Sequence, residues 1–232
     1  MDTLRSSPAW VLPVAIVLAG IIVAIATYAV NVHQQVAKKD GDPTIVRPVT
    51  PLGDHILGNP AARIMVVEYG DIDSAPTKEF NAVMEQLVTE YGTDGDVAWV
   101  FRHFPIIALH PNAAAHASAA ECVASLGGPD AFWRFIDGIA VNAPGSNEFS
   151  PKDYPLLLPG LNVSKEAFTN CIANGTFENH VQADYTNAIL AGATGSPYIV
   201  LLVKGQRPIP ISGALPYTSM KKILNDYLAK QS

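Results

Sequence analysis

The longest apolar stretch comes first. From Ala9 to Val30 no position is charged, and Val, Ile, Ala and Leu dominate. Wound as a helix the stretch spans about 33 Å, enough for a bilayer core of about 30 Å. Trp10 and Tyr28 stand near its two ends, where amphipathic aromatics favour the membrane interface, and Pro13 falls in the first turn, where a missing N–H is tolerated. A cleaved signal peptide is the competing reading. The run is longer than a usual signal core, only Arg5 supplies a basic flank, and the Ala24-Ile-Ala26 triplet lies inside the run rather than after it. No cysteine is near enough for a lipoprotein anchor. The pattern therefore predicts a short tail over 1–8 and an uncleaved single-pass helix over 9–30. Residues 31–51 are polar, carry Pro43, Pro48 and Pro51, and read as an extended tether. The remainder, 52–232, is long enough for one well-buried domain.

Within that remainder, short apolar runs predict strands at Arg63–Tyr69, Val97–Phe104, Tyr198–Val203 and, after the Lys204-Gly205 turn, Ile209–Ser212. Pro208 and Pro210 would remove ladder donors from the last of these, so it belongs at a sheet edge. Phe80, Val83, Met84, Leu87 and Val88 recur at helical spacing between the first two strands. Ala113–Leu126, Ala131–Ala140, Lys165–Asn174, Phe177–Ala191 and Thr218–Lys230 predict further helices. The order is strand, helix, strand, helical block, two strands, helix. It describes a small α/β sheet with a helical subdomain inserted at about 108–191.

Composition narrows the class. A chain with 49% hydrophobic and 16% charged residues is too apolar for disorder, and a net charge of -6 leaves no basic face for nucleic acid. Two cysteines are too few for a disulfide-rich scaffold or a four-thiolate zinc site. There is no phosphate loop, dinucleotide fingerprint or nucleophile elbow, and no cofactor is expected. Lys38 and Lys39 outnumber Arg5 and, taken alone, weakly place the domain in the cytoplasm.

Several stretches together resemble the DsbA-like thioredoxin-fold family of membrane-anchored or exported thiol–disulfide oxidoreductases. They are Leu57-Gly-Asn-Pro60, Val66-Val-Glu-Tyr-Gly-Asp71, Phe101-Arg-His-Phe-Pro105, His110-Pro-Asn112, Ala120-Glu-Cys122, Ala131-Phe-Trp133 and Gly192-Ala-Thr-Gly-Ser-Pro197. Their order and spacing run through the whole of 52–232. The resemblance implies a thioredoxin fold and an extracytoplasmic domain, against the lysine count.

The family carries Cys-x-x-Cys where the first strand hands over to the first helix, because the helix N-terminus stabilises a thiolate. Here the aligned tetrapeptide is Ser74-Ala75-Pro76-Thr77, so both sulfurs are replaced by hydroxyls. A hydroxyl cannot cycle between dithiol and disulfide, and no catalytic residue is expected. Ser74 suits an N-cap and Pro76 a first helical turn. The resemblance also matches Ser196-Pro197 to the family's cis-proline loop, on whose backbone edge an extended peptide pairs. Main-chain pairing needs no sulfur, so Ser74, Thr77, Ser196 and Pro197 are the candidate peptide- or ligand-binding residues.

Cys122 and Cys171 form no Cys-x-x-Cys. In an oxidising compartment they are expected to form a disulfide stapling the helical block, the alternative being two buried thiols. His103, His110 and His116 fit no local metal-ligand spacing, and no metal site is expected. Glu68, Asp71 and Asp73 cluster beneath the helix start. Without cysteines their proton-relay role is empty, leaving Asp73 as a helix cap.

The sequence thus predicts a membrane-tethered, redox-inactive domain that binds an extended polypeptide or assembles with an envelope protein. Two alternatives remain: a glutathione-binding enzyme resembling kappa-class transferases, with Ser74 donating to the glutathione thiolate, and an oxidoreductase using Cys122 and Cys171.

Overall fold

The computed structural model describes residues 41–92, 95–145 and 148–230. The predicted tail, anchor and first part of the tether lie outside the described residues. No helix among the described residues is long and apolar enough to cross a membrane.

Five strands form one sheet: β1 (His55–Gly58), β2 (Ile64–Gly70), β3 (Val97–His103), β4 (Tyr198–Val203) and β5 (Ile209–Ser212), in spatial order β1-β3-β2-β4-β5. β2 and β3 run parallel, joined by α1 (Ala75–Tyr91), while every other pairing is antiparallel. β5 lies at the edge, as Pro208 and Pro210 require, and Pro210 faces Val200 of β4. Between β3 and β4 come α2 (Ala113–Gly127), α3 (Pro129–Asn142), a six-residue 3₁₀ turn (Pro151–Leu156), α4 (Lys165–Ala173) and α5 (Glu178–Ala191). α6 (Tyr217–Ala229) ends the fold.

Strand alternation sends side chains to two buried faces, which is why the central strands read as continuous apolar runs. On one face Val66, Trp99, Phe101, Ile199 and Leu201 pack beneath Phe80, Met84 and Leu87 of α1, Leu224 of α6 and the aromatic side of α3. On the other, Val67, Tyr69, Val100, Tyr198 and Val200 meet Ala188 and Ala191 of α5. The close approach of α1 is made possible by Gly70. A Cβ there would fall 2.5 Å from the Phe101 ring and 3.1 Å from Thr77 Cγ2.

Two expectations change. β1 is a strand that the apolar pattern does not predict. It adds to β3 in register from His55 opposite Phe101 to Gly58 opposite Ala98. The end of the predicted tether is also part of the domain surface. Asp42 N donates to Leu190 O (2.9 Å), and the carbonyls of Arg47 and Pro48 accept from Arg102 Nη2 (3.1 and 3.3 Å). Arg102 is wholly buried beside Asp54 (2.7 Å), so its remaining N–H groups need acceptors, and the carbonyls of residues 47 and 48 supply them.

Candidate functional site

β2 ends at Gly70, and four residues carry the chain to the N-terminus of α1. Pro76 stands in the first turn as expected, but Ser74 does not cap the helix with its side chain. Its Oγ donates instead to Ser196 O (3.4 Å) across the neighbouring loop. Thr77, one turn on, has its Oγ1 2.7 Å from Ser196 Oγ, which also accepts from Asp71 N (2.6 Å). The Ser196–Pro197 peptide bond is cis. All four predicted ligand-binding residues therefore meet: the Ser74 hydroxyl reaches the Ser196 carbonyl, the Thr77 hydroxyl reaches the Ser196 hydroxyl, and Pro197 is next in the chain. Ser74 and Thr77 are buried, while Ser196 is partly exposed. The main-chain N–H of Ser196 meets no acceptor among the described residues.

The three acids beneath this junction do separate work. Glu68 lies wholly buried under α1 and accepts from Trp99 Nε1 (2.8 Å). Burial pushes its carboxyl well above the ordinary range, and the Trp99 hydrogen bond only partly offsets that. Asn81, with its amide nitrogen turned inward, donates to Glu68 Oε1 (3.3 Å) and Thr77 O (3.0 Å). Asp71 accepts from Asp73 N (3.0 Å) and Ile106 N (2.8 Å), and its Oδ2 lies 2.9 Å from His110 Nδ1. It thereby ties the loop after β3 to the helix start. Asp73 is not a cap. Its Oδ2 pairs with His116 Nδ1 (2.7 Å), while Asp73 Oδ1, His116 Nε2 and the Tyr154 hydroxyl are buried without hydrogen-bond partners among the described residues. Burial, and then the Asp73 charge, push the Tyr154 hydroxyl upward. Lys78, in the first turn, donates to Ala143 O (2.6 Å); burial lowers its ammonium, and Asp73 and Asp71 pull it back.

Cys122 of α2 and Cys171 of α4 are bonded to each other, 49 positions apart in sequence, with Cα atoms 5.9 Å apart. Cys122 is 1% exposed. The two cysteines of the chain are thus both spent on one cross-link in the helical block, and the helix start holds no sulfur.

The three singled-out histidines disperse to three different carboxylates: His103 to Glu121, His110 to Asp71 and His116 to Asp73. Sequence spacing points to no metal ligands, yet His55 of β1, His103 of β3 and Glu121 of α2 bring their ligand atoms within 4.8 Å of one another. His180 of α5 reaches the same Glu121 oxygen at 3.4 Å. A cluster drawn from four elements has no local spacing to betray it.

The sequence pattern of the family described as Thioredoxin matches residues 50–226. Among solved structures, the chain is similar to Pseudomonas aeruginosa DsbA2, with TM-score 0.65 and 24% identity, covering 79% of this chain and 98% of that one. It is likewise similar to oxidised BdbD from Bacillus subtilis, with TM-score 0.67 and 21% identity over 82% of this chain and 97% of that one. At such identities the likeness is one of fold. Among curated proteins, a Na(+)/H(+) antiporter NhaA 3 from Salinispora tropica is 29% identical over 160 residues, which is 69% of this chain and 23% of the antiporter. A Na(+)/H(+) antiporter NhaA 1 from Mycobacterium sp. (strain KMS) is 38% identical over 84 residues, 36% of this chain and 13% of that one. The chain spans less than a quarter of the length of these curated relatives.

Proposed function

The chain belongs to the Thioredoxin family, with a DsbA-like fold, and on that premise we propose that it is a redox-inactive polypeptide-binding module. Residues 9–30 tether it to the extracytoplasmic face of a membrane. One observation carries the binding role. Ser74 and Thr77 hold hydroxyls at the start of α1 and turn them onto Ser196, while the Ser196 N–H meets no acceptor among the described residues at a partly exposed loop. A main-chain donor of this kind, next to a carbonyl held only by a long 3.4 Å contact, suits the addition of an extended peptide. The absence of sulfur at the helix start supports the loss of thiol–disulfide exchange, since the chain's only cysteines are bonded elsewhere. The anchor rests on the charge-free run, and the partial matches to proteins named as antiporters agree with a module that works beside membrane proteins.

The glutathione reading requires the Ser74 hydroxyl to face an incoming thiolate. Ser74 is 5% exposed and its hydroxyl is turned onto the Ser196 carbonyl, which speaks against that role.

Two variants at one position test the binding role. Ser196→Ala removes the hydroxyl but keeps the N–H; Ser196→Pro removes the N–H. Binding of unfolded polypeptide, followed by fluorescence anisotropy on chains shown by circular dichroism to be folded, should survive the first change and fail in the second. Equal binding by both variants overturns the reading. Wild-type chain should also leave the rate of insulin reduction by dithiothreitol at background.

A further inference from the structure

We propose that His55, His103, His180 and Glu121 form a binding site for a first-row divalent transition-metal ion of the Zn2+ type, apart from the hydroxyl set at the start of α1.

The geometry converges on one oxygen. Glu121 Oε1 lies 2.7 Å from His55 Nε2, 2.9 Å from His103 Nε2 and 3.4 Å from His180 Nε2. Three imidazole nitrogens around a carboxylate oxygen make the donor set that Zn2+ takes, with ligand bonds of about 2.0–2.2 Å in a tetrahedron. In such a tetrahedron neighbouring donor atoms stand about 3.3 Å apart. The 3.4 Å contact meets that separation and the two shorter ones fall below it by about half an ångström. His55, His103 and Glu121 already hold their ligand atoms within 4.8 Å of one another, while His180 stands outside that group and must swing inward to complete the tetrahedron.

The charge arrangement points the same way. Three carboxylates lie in this part of the fold. Asp54 is paired with Arg47 (2.9 Å) and Arg102 (2.7 Å), and Asp184 with Arg47 (2.8 Å). Glu121, almost wholly buried, is faced by imidazoles alone among the described residues. A buried carboxylate calls for compensating positive charge, and a divalent ion held among these imidazoles would supply it.

The ligands are also held and reachable. His103 is fixed in β3, with its backbone N–H on Asp184 Oδ2 (3.0 Å). The His55 ring is stacked flat on Phe132 (3.5 Å between centroids, 5° between planes), which sets its direction. His55, Glu121 and His180 line a surface pocket of about 350 Å³ with Leu52 and Phe177 at its walls, which gives an ion access from solvent.

Imidazole-rich donors discriminate among ions. Ca2+ and Mg2+ take oxygen ligands, six or more for Ca2+, and one glutamate cannot satisfy them.

Full-length, tag-free chain stripped with chelator and titrated with Zn2+ against a competing chromophoric chelator tests the proposal. The expected result is one Zn2+ per chain, weakened at least about tenfold by His180→Ala and by Glu121→Gln, with Ca2+ not competing. His180 is the most exposed ligand, at 31%, so its replacement leaves the fold standing even if the buried Glu121 variant does not. Co2+ in place of Zn2+ should give the visible absorption of a tetrahedral nitrogen–oxygen site, absent in His180→Ala. Failure of folded wild-type chain to bind Zn2+ at micromolar free metal overturns the proposal. So does binding of Ca2+ in preference to Zn2+, or Zn2+ binding unchanged in both variants.

Discussion

Glu68 shows how one residue can be held in a charge state that its surroundings, not its chemistry, select. It is 0% exposed, its polar neighbours among the described residues are the indole N–H of Trp99 and the amide of Asn81, and burial raises its pKa well above the ordinary value. The folded chain therefore holds a proton there that the unfolded chain releases above about pH 4.3. With a raised folded pKa, the favourable contribution is complete below the unfolded value and is lost as pH rises toward the folded one. Glu68→Gln keeps an acceptor for Trp99 and removes the ionisation. It should raise the denaturation midpoint at pH 7 and leave it unchanged near pH 3, which paired urea melts at the two pH values would read. A variant less stable than wild type at pH 7 would mean that Glu68 is ionised in the fold. Ser74 is the counterpart on the legibility side. The sequence places it at the helix start correctly, but a hydroxyl can cap its own helix or reach across to another loop, and only the three-dimensional proximity of Ser196 decides between them.

At the scale of elements, packing of α1 against α3 brings Asp137 against Glu85. Burial, then the charge of Glu85 and a hydrogen bond with it, push the Asp137 carboxyl up to about 7. With the folded value raised, the contribution is present below about pH 4 and is lost as pH rises through about 7. Asp137→Asn should flatten that loss and stabilise the chain by about 1 kcal/mol at pH 8, solvent screening included. Thermal melts at pH 5 and pH 8 check it: the wild-type midpoint should fall between them more than that of the variant. The cross-link between α2 and α4 is the other element-level device. Closing that loop stabilises by about 4 kcal/mol on the chain-entropy model, so Cys122→Ser with Cys171→Ser should lower the urea midpoint at every pH, with circular dichroism still reporting the helices. Elements of this length are legible because their periods are long and regular: β4 and β5 fall where the apolar runs do, and the helices match within a few residues. β1 is not, because four residues ending in glycine offer too short a pattern, and its partner β3 lies beyond β2 and α1 in the chain. The His55–His103–Glu121 cluster is hidden for the same reason, since its members share no element. Only His180 and Asp184, one turn apart on α5, carry a local spacing.

At the scale of the whole molecule, two arrangements hold the sheet to its surroundings. Arg102, buried in β3, grips Asp54 and the carbonyls of residues 47 and 48, which turns the segment before β1 into a belt. Arg102→Met would leave Asp54 with Arg47 alone and free those carbonyls. Losing one partner of a buried pair costs about 3–5 kcal/mol, and proteolysis within 41–54 should be the first sign. The second arrangement is the junction of α1 with the Ser196–Pro197 loop. If only the sulfurs separate this chain from a working oxidoreductase, then Ser74→Cys with Thr77→Cys should be sufficient to recover one. The helix N-terminus would face the new thiol at position 74 as it now faces the Ser74 hydroxyl, and thiols so placed have pKa values of about 3.5–7.5. The double variant should therefore show a low-pKa thiolate by its ultraviolet absorbance and accelerate insulin reduction well above wild type, while the Cys122–Cys171 bond stays closed. The Ser196 carbonyl that now accepts from the Ser74 hydroxyl would favour the neutral thiol, so the helix N-terminus has to outweigh it. The second thiol would replace the Thr77 hydroxyl now 2.7 Å from Ser196 Oγ, a contact that must break for the pair to open and close. A variant that forms the new disulfide yet stays at background would place the loss of chemistry in this loop rather than in the two missing sulfurs. The hydroxyl set would then be the feature that commits the domain to binding.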